Sequence, residues 1–256
     1  MSLFNKVLAS VGIGAAKVDT KLHSETVFPG GEVTGVVEVK GGKIEQKIAE
    51  IYINVSTAFE KESDDKKYYV NSQIERIRLS ESFLLKSDEE KEIPFSFVLP
   101  LDTTVSIGKS KIWISTELDI KNAVDPDDKD VIRVIPNPLM KSAIDAVIDL
   151  GFKIREVDCV EVPHGLRRRL PFVQEFEFIP VSGSFRGHLD ELEMVFYPNT
   201  KNEIDLMIQV DRRARGIRGL FSEALSMDES TILVKIADSD ILDIREKIKL
   251  TISKYA

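Results

Sequence analysis

The sequence predicts a mainly all-β chain. It reads as two antiparallel β-sandwiches with a short N-terminal helix, a linker helix and a C-terminal helix. Three observations lead there. Apolar and polar residues alternate over many short segments, the period of a half-buried strand. Turn signals separate those segments with almost no helical stretches between them, the pattern of an antiparallel sandwich. Hydrophobic residues make up 43% of the 256, enough to fill a core and too many for a disordered chain.

In the first half, Pro29-Gly30-Gly31 is a turn signal. After it, Val33, Gly35, Val37 and Val39 point one way, and Thr34, Val36, Glu38 and Lys40 the other. Gly41-Gly42 ends that strand. Ile51, Ile53 and Val55 then share a face. The charged run KESDDKK, 61–67, reads as a solvated hairpin tip. Ile93, Phe95, Phe97 and Leu99 alternate between prolines, and Pro94 suits a strand start or an edge. Ile112, Ile114, Thr116, Leu118 and Ile120 alternate against Trp113, Ser115, Glu117 and Asp119.

Pro136-Asn137-Pro138 marks the strongest internal boundary. It divides the chain into an N-terminal sandwich, 1–136, and a linker helix plus C-terminal sandwich, 137–256. Leu139, Met140, Ala143, Ile144, Val147, Ile148 and Leu150 suit a helix that stops at Gly151. Strand patterns return in FKIREVDCVEVP, QEFEFIPV, DELEMVFYP, NEIDLMIQVDRR and TILVKIA. Ile241, Ile244, Ile248 and Ile252 recur at helical spacing in the tail, with Ser239 or Asp240 as the N-cap. At the other end, Leu3, Phe4, Val7, Leu8 and Val11 fall on one helical face. That face predicts a short amphipathic helix docked on the body. A membrane-surface contact through residues 2–14 is the alternative, and its polar face carries few lysines.

Composition narrows the function classes. The net charge of −8 opposes nucleic acid as a whole-surface partner. One cysteine, Cys159, allows no internal disulfide and fits a reducing, cytoplasmic setting. Cys159 alternates with Val157 and reads as a buried small hydrophobe. Gly108-Lys109-Ser110 has the ending of a phosphate loop, but Thr103 stands where the first glycine belongs. The acidic run from Asp125 through Asp127 and Asp128 to Asp130 lacks the glycine and glutamate of an EF-hand. It reads as a solvated turn, with calcium binding or hydrolysis as the weaker alternative. His23, His164 and His188 lie far apart, outside any metal or triad spacing. Glu191 and Glu193 share a strand face as a catalytic pair does, but such pairs are usually solvated. The expectation is no enzymatic activity, no cofactor and no metal.

Two arginine clusters remain. Arg167-Arg168-Arg169 sits in a strand connection. Arg212, Arg213, Arg215 and Arg218 follow Asp211 and make a local charge of +3. Only Phe221 accompanies them, too little aromatic surface for a nucleic-acid grip. These four arginines are the candidate residues for binding an acidic protein partner, with a structural pairing role equally open.

The segments VFPGGEVTGVVEVKGG, PFSFVLP, TELDIKNAVDPDDKDVIRVIPNP, FVQEFEFIPVSGSFRGHLDELEMVFYP and DRRARGIRGLFSEALSMDES resemble the bacterial sporulation-control protein M (SpoOM) family over nearly the whole chain. The PGG turn and the PFSFVLP strand also look like the wider arrestin family. The resemblance implies two arrestin-like sandwiches joined by a short connector. It implies a non-enzymatic scaffold or adaptor that regulates sporulation or the cell cycle by binding proteins, including cytoskeletal or division machinery. The phosphate-sensing charges of animal arrestins have no counterpart that can be mapped here. Exposed sandwich edges suit strand addition and a homodimer.

Overall fold

The structure is a computed structural model and describes residues 16–63, 66–120, 127–211 and 231–255. In chain order the strands of the first half are β1 (Lys17–Leu22), β2 (Thr26–Val27), β3 (Glu32–Lys40), β4 (Gln46–Ser63), β5 (Lys66–Ser80), β6 (Phe83–Leu85), β7 (Glu90–Val98), β8 (Ile112–Ile120) and β9 (Asp127–Val134). Helix α1 (Pro138–Asp149) follows. After it come β10 (Phe152–Glu161), β11 (Phe172–Pro180), β12 (Glu191–Thr200), β13 (Glu203–Asp211), β14 (Thr231–Ala237) and helix α2 (Ile244–Ile252). The chain is mainly β, as the alternation predicts. Its described residues divide into two compact units, one within 1–57, 71–100 and 111–134, the other within 58–70, 101–110 and 135–256. The long strands β4 and β5 therefore contribute residues to both units.

In the first unit β1, β3 and β7 form an antiparallel sheet with β3 in the middle. Opposite it, β4 pairs with β8, β8 with β9, and β2 with β9. Val33, Val37 and Val39 of β3 are buried, as are Ile51, Ile53 and Val55 of β4 and Ile112, Ile114 and Leu118 of β8. The period-two sets of the sequence are thus the inward faces. The Thr20 and Thr116 hydroxyls meet at 2.6 Å, and Asp128 Oδ2 accepts from the Thr20 amide at 2.7 Å, tying β1 to β8 and β9.

Two local expectations change. Most of the run 61–67 is strand, with β4 reaching Ser63 and β5 starting at Lys66. Two of its lysines are paired, Lys61 with Glu161 at 3.1 Å and Lys67 with Glu60 at 2.7 Å, and residues 64 and 65 at the turn lie outside the described residues. In the tail, Ser239 and Asp240 do not cap the helix. They belong to a 3₁₀ turn, Asp238–Asp240, and α2 starts only after Asp243. The reason is that the Asp240 carboxylate is already engaged, accepting from the Ala237 amide at 2.8 Å and Lys247 Nζ at 2.9 Å. Ile244, Ile248 and Ile252 are buried, and Ile241 stands outside the helix.

The second unit is an antiparallel run β10-β11-β12-β13-β14 with α1 and α2 packed together and α1 against β10. Helix α1 begins where Asn137 Oδ1 accepts from the Met140 amide at 2.9 Å, with Pro138 in the first turn. It buries Leu139, Met140, Ala143, Ile144 and Val147, while Ile148 is exposed. It stops at Gly151, whose φ is +96°. A Cβ there would sit 2.3 Å from the Ser182 carbonyl oxygen.

Asn137→Ala removes one capping bond and is expected to cost about 1 kcal/mol, a fall of roughly 2–4 °C in melting temperature. Gly151→Ala combines a disfavoured φ with a backbone collision and is expected to cost more, on the order of 1–3 kcal/mol from the φ alone. Calorimetry on both variants checks the order. A Gly151→Ala protein as stable as the parent would refute the role given to this turn.

Candidate functional site

Alternation in the second unit sends two kinds of side chain to opposite faces. Phe176 lies across from Met194, and Phe178 across from Leu192, all fully buried on the side that also carries Val157 and Cys159. The other side carries acids. Asp158 of β10 lies across from Glu175 of β11, and Glu177 of β11 across from Glu193 of β12. Glu191 lies two residues before Glu193 on the same strand. These five carboxyl groups are almost inaccessible: Asp158 is 3% exposed, Glu175 2%, Glu177 3%, Glu191 1% and Glu193 4%. Next to them the same face turns apolar, with Val160, Val162, Val195 and Met207 packed against Val173 and Tyr197.

The extra residue of a bulge in β10 supplies a cation. Register shifts between Ile154 and Glu156, and Arg155 falls in that shift. Its Nε and Nη2 donate to Glu177 Oε2 at 2.9 and 2.7 Å, and Nη2 also approaches Glu191 Oε2 at 2.7 Å. Asp158 is satisfied separately. It accepts from the Cys159 amide at 2.8 Å and the Tyr69 hydroxyl at 2.5 Å, with Lys109 Nζ at 3.5 Å. Lys109 also bonds Glu156. Burial and the Asp158 carboxylate push the Tyr69 phenol up to about 12.

Glu175 and Glu193 fare differently. Neither oxygen of Glu175, nor Oε2 of Glu193, has a hydrogen-bond partner among the described residues. Burial, and then Glu177 and Glu191, push the Glu175 carboxyl up to about 8. Burial, and then Glu175 and Glu191, push Glu193 up to about 9. The cause is general: water is removed and like charges face one another across the ladder, so the neutral acid is favoured.

Glu191 and Glu193 share one strand face, as expected, but they are buried where a solvated pair was expected. The register of β11 and β12 brings Glu175 and Glu177 beside them, and no single strand shows that. Their signal was the repeated acid–apolar alternation in QEFEF and ELEM. The Gly108-Lys109-Ser110 turn is structural: Gly108 has φ +65°, a Cβ on it would lie 2.3 Å from the Val157 carbonyl oxygen, and Gln174 Nε2 donates to Ser110 Oγ at 2.9 Å. Cys159 is buried. Of the acidic run, Asp125 lies outside the described residues, and Asp127 is described in its backbone alone. Asp128 Oδ1 accepts from the Lys129 amide at 3.0 Å, and burial followed by Asp128 raises the Asp130 carboxyl. Among the described residues no three His, Cys, Asp or Glu side chains are placed to hold a metal ion. Arg212, Arg213, Arg215 and Arg218 lie outside the described residues, as do residues 2–14. No helix of the described residues is long and apolar enough to cross a membrane.

The carboxyl layer fixes a pH dependence. Folded Glu175 and Glu193 keep protons that the unfolded chain, with carboxyls near 4.5, has released. Their contribution to stability is complete below that value and is lost as pH rises through about 8 to 9. Melting temperature is expected to fall steadily between about pH 5 and pH 9. The double variant Glu175→Gln, Glu193→Gln should flatten that fall and melt higher at the alkaline end. A parent protein with a flat profile would contradict the assignment of neutral carboxyls.

Comparison with known proteins agrees with the resemblance read from the sequence. The family model described as SpoOM protein matches residues 4–214. The sporulation-control protein spo0M of Bacillus subtilis (strain 168) is 43% identical over 246 residues, 96% of this chain and 95% of the relative. The crystal structure of Spo0M from Bacillus subtilis matches with a TM-score of 0.89 at 41% identity, over 95% of this chain and 100% of that one. The likeness extends through both units and over almost the full length of each protein, and on that ground the chain belongs to the SpoOM protein family.

Proposed function

We propose that this chain is a cytoplasmic, non-enzymatic regulator that helps control entry into sporulation by binding other proteins. The observation that carries the reading is its 43% identity to a sporulation-control protein across nearly all of both chains. A protein-binding mode is supported by the edge of the second unit. Among the described residues β14 pairs with β13 alone, leaving its other side open, and Leu233 on it is 62% exposed. An open strand with an exposed leucine suits the addition of a partner's strand or of a second copy. The segment carrying Arg212, Arg213, Arg215 and Arg218 joins β13 to β14, next to that edge in the sequence, and suits an acidic partner.

Deleting the gene in its native host is expected to change the frequency of sporulation, and the intact gene should restore it. The combined variant Arg212→Ala, Arg213→Ala, Arg215→Ala, Arg218→Ala is expected to keep the parent's melting temperature within a few degrees. It should fail to restore sporulation and lose partners trapped by mild crosslinking in the cell. No change on deletion would end the regulatory reading. Full restoration by the variant would remove the arginines from the binding surface.

A further inference from the structure

We infer that the second unit contains a preformed binding site for a small anion with an apolar body, a carboxylate bearing a ring or a short branched chain. A cavity of about 240 Å3 opens between the 101–104 segment, the 168–170 loop and the ends of β11 and β12. Leu101, Met140, Phe176 and Phe196 give it apolar walls. Cavities of about 150 Å3 already take a benzene ring, so this one has room for a ring and a short chain.

The walls are fixed before any ligand arrives. Gln174 clamps the 101–110 segment to β11: its Nε2 donates to the Val105 carbonyl and its Oε1 accepts from the Val105 amide, both at 2.8 Å. Arg169 grips Asp102 with two parallel bonds, Nε to Oδ2 at 2.8 Å and Nη2 to Oδ1 at 2.5 Å. A site held open by its own scaffold loses little freedom on binding.

The polar groups define the ligand's charge. Arg167 is paired with Glu161 at 2.8 Å and Arg169 with Asp102. Between them, Arg168 has no carboxylate partner among the described residues. It lies over the Tyr197 ring at 4.0 Å from its centre, and both residues line the cavity. A guanidinium stacked on an aromatic face keeps its N–H edge free for a carboxylate. Thr103 and Thr104, 3% and 5% exposed, also line the cavity, and their hydroxyls have no hydrogen-bond partner among the described residues. Buried hydroxyls without partners are uncommon. Among the described residues Asp102 is the one acid lining the cavity, and it is already paired with Arg169, so the polar end of the cavity favours a negative head group.

Titration calorimetry of the full chain with 4-phenylbutanoate and with 4-phenylbutanol tests this. The acid is expected to bind with a Kd in the ~0.1–1 mM range, and the uncharged alcohol at least about tenfold more weakly. Arg168→Met should weaken the acid about tenfold at an unchanged melting temperature. Amide shifts on adding the acid should gather at residues 101–104 and 168–170. The inference is overturned if the acid shows no binding up to about 10 mM. It is also overturned if acid and alcohol bind alike, or if Arg168→Met binds the acid as the parent does.

Discussion

The second unit depends on the register of β11 between β10 and β12. With Glu177 opposite Glu193, the two phenylalanines Phe176 and Phe178 face Met194 and Leu192. A slip of one residue would exchange the faces, because side chains alternate with a period of two. Phenylalanine rings would then meet the carboxyl groups, and two glutamates would enter the apolar side. Hydrophobic burial on one side therefore enforces acid crowding on the other. The crowding is tolerated through three routes at once: the bulge that delivers Arg155, the hydroxyl and amide donors on Asp158, and the retention of protons by Glu175 and Glu193.

The same register also serves the cavity. Gln174 lies opposite Cys159, on the side away from the carboxyl layer, and there reaches both Val105 and Ser110. One strand thus supplies the acid layer with alternate residues and the clamp on the 101–110 segment with the ones between. Residues far apart in sequence, Asp102 and Arg169, Lys109 and Glu156, close that segment onto the sheet.

What the sequence revealed follows from which forces act locally. Val33, Val37 and Val39, or Ile112, Ile114 and Leu118, announce themselves because one face of each strand is dry and the other wet. Strand β5 does not, since among its fifteen residues Ile74 is the one that is buried. Its pairing with β4 shapes it more than any burial of its own. The cap of α2 was misplaced because Asp240 can serve either a turn or a helix, and the bond to Ala237 decides. At the carboxyl layer, Glu191 and Glu193 were visible as neighbours on one face. Their burial depends on strand order and register, which alternation within one strand does not contain. The arginines at 212–218 stood out by charge, and no cross-strand partner for them can be read from a linear pattern.

Cys159 is the chain's one thiol, fully buried in β10 with its sulfur 3.3 Å from the Ser110 hydroxyl. A thiol so enclosed meets a reagent only when the surrounding strands part. The protein consequently carries its own clock for the opening of the second unit. The rate at which an alkylating reagent consumes Cys159 measures how often β10 separates from the 101–110 segment, with no label introduced and no competing signal from any other cysteine.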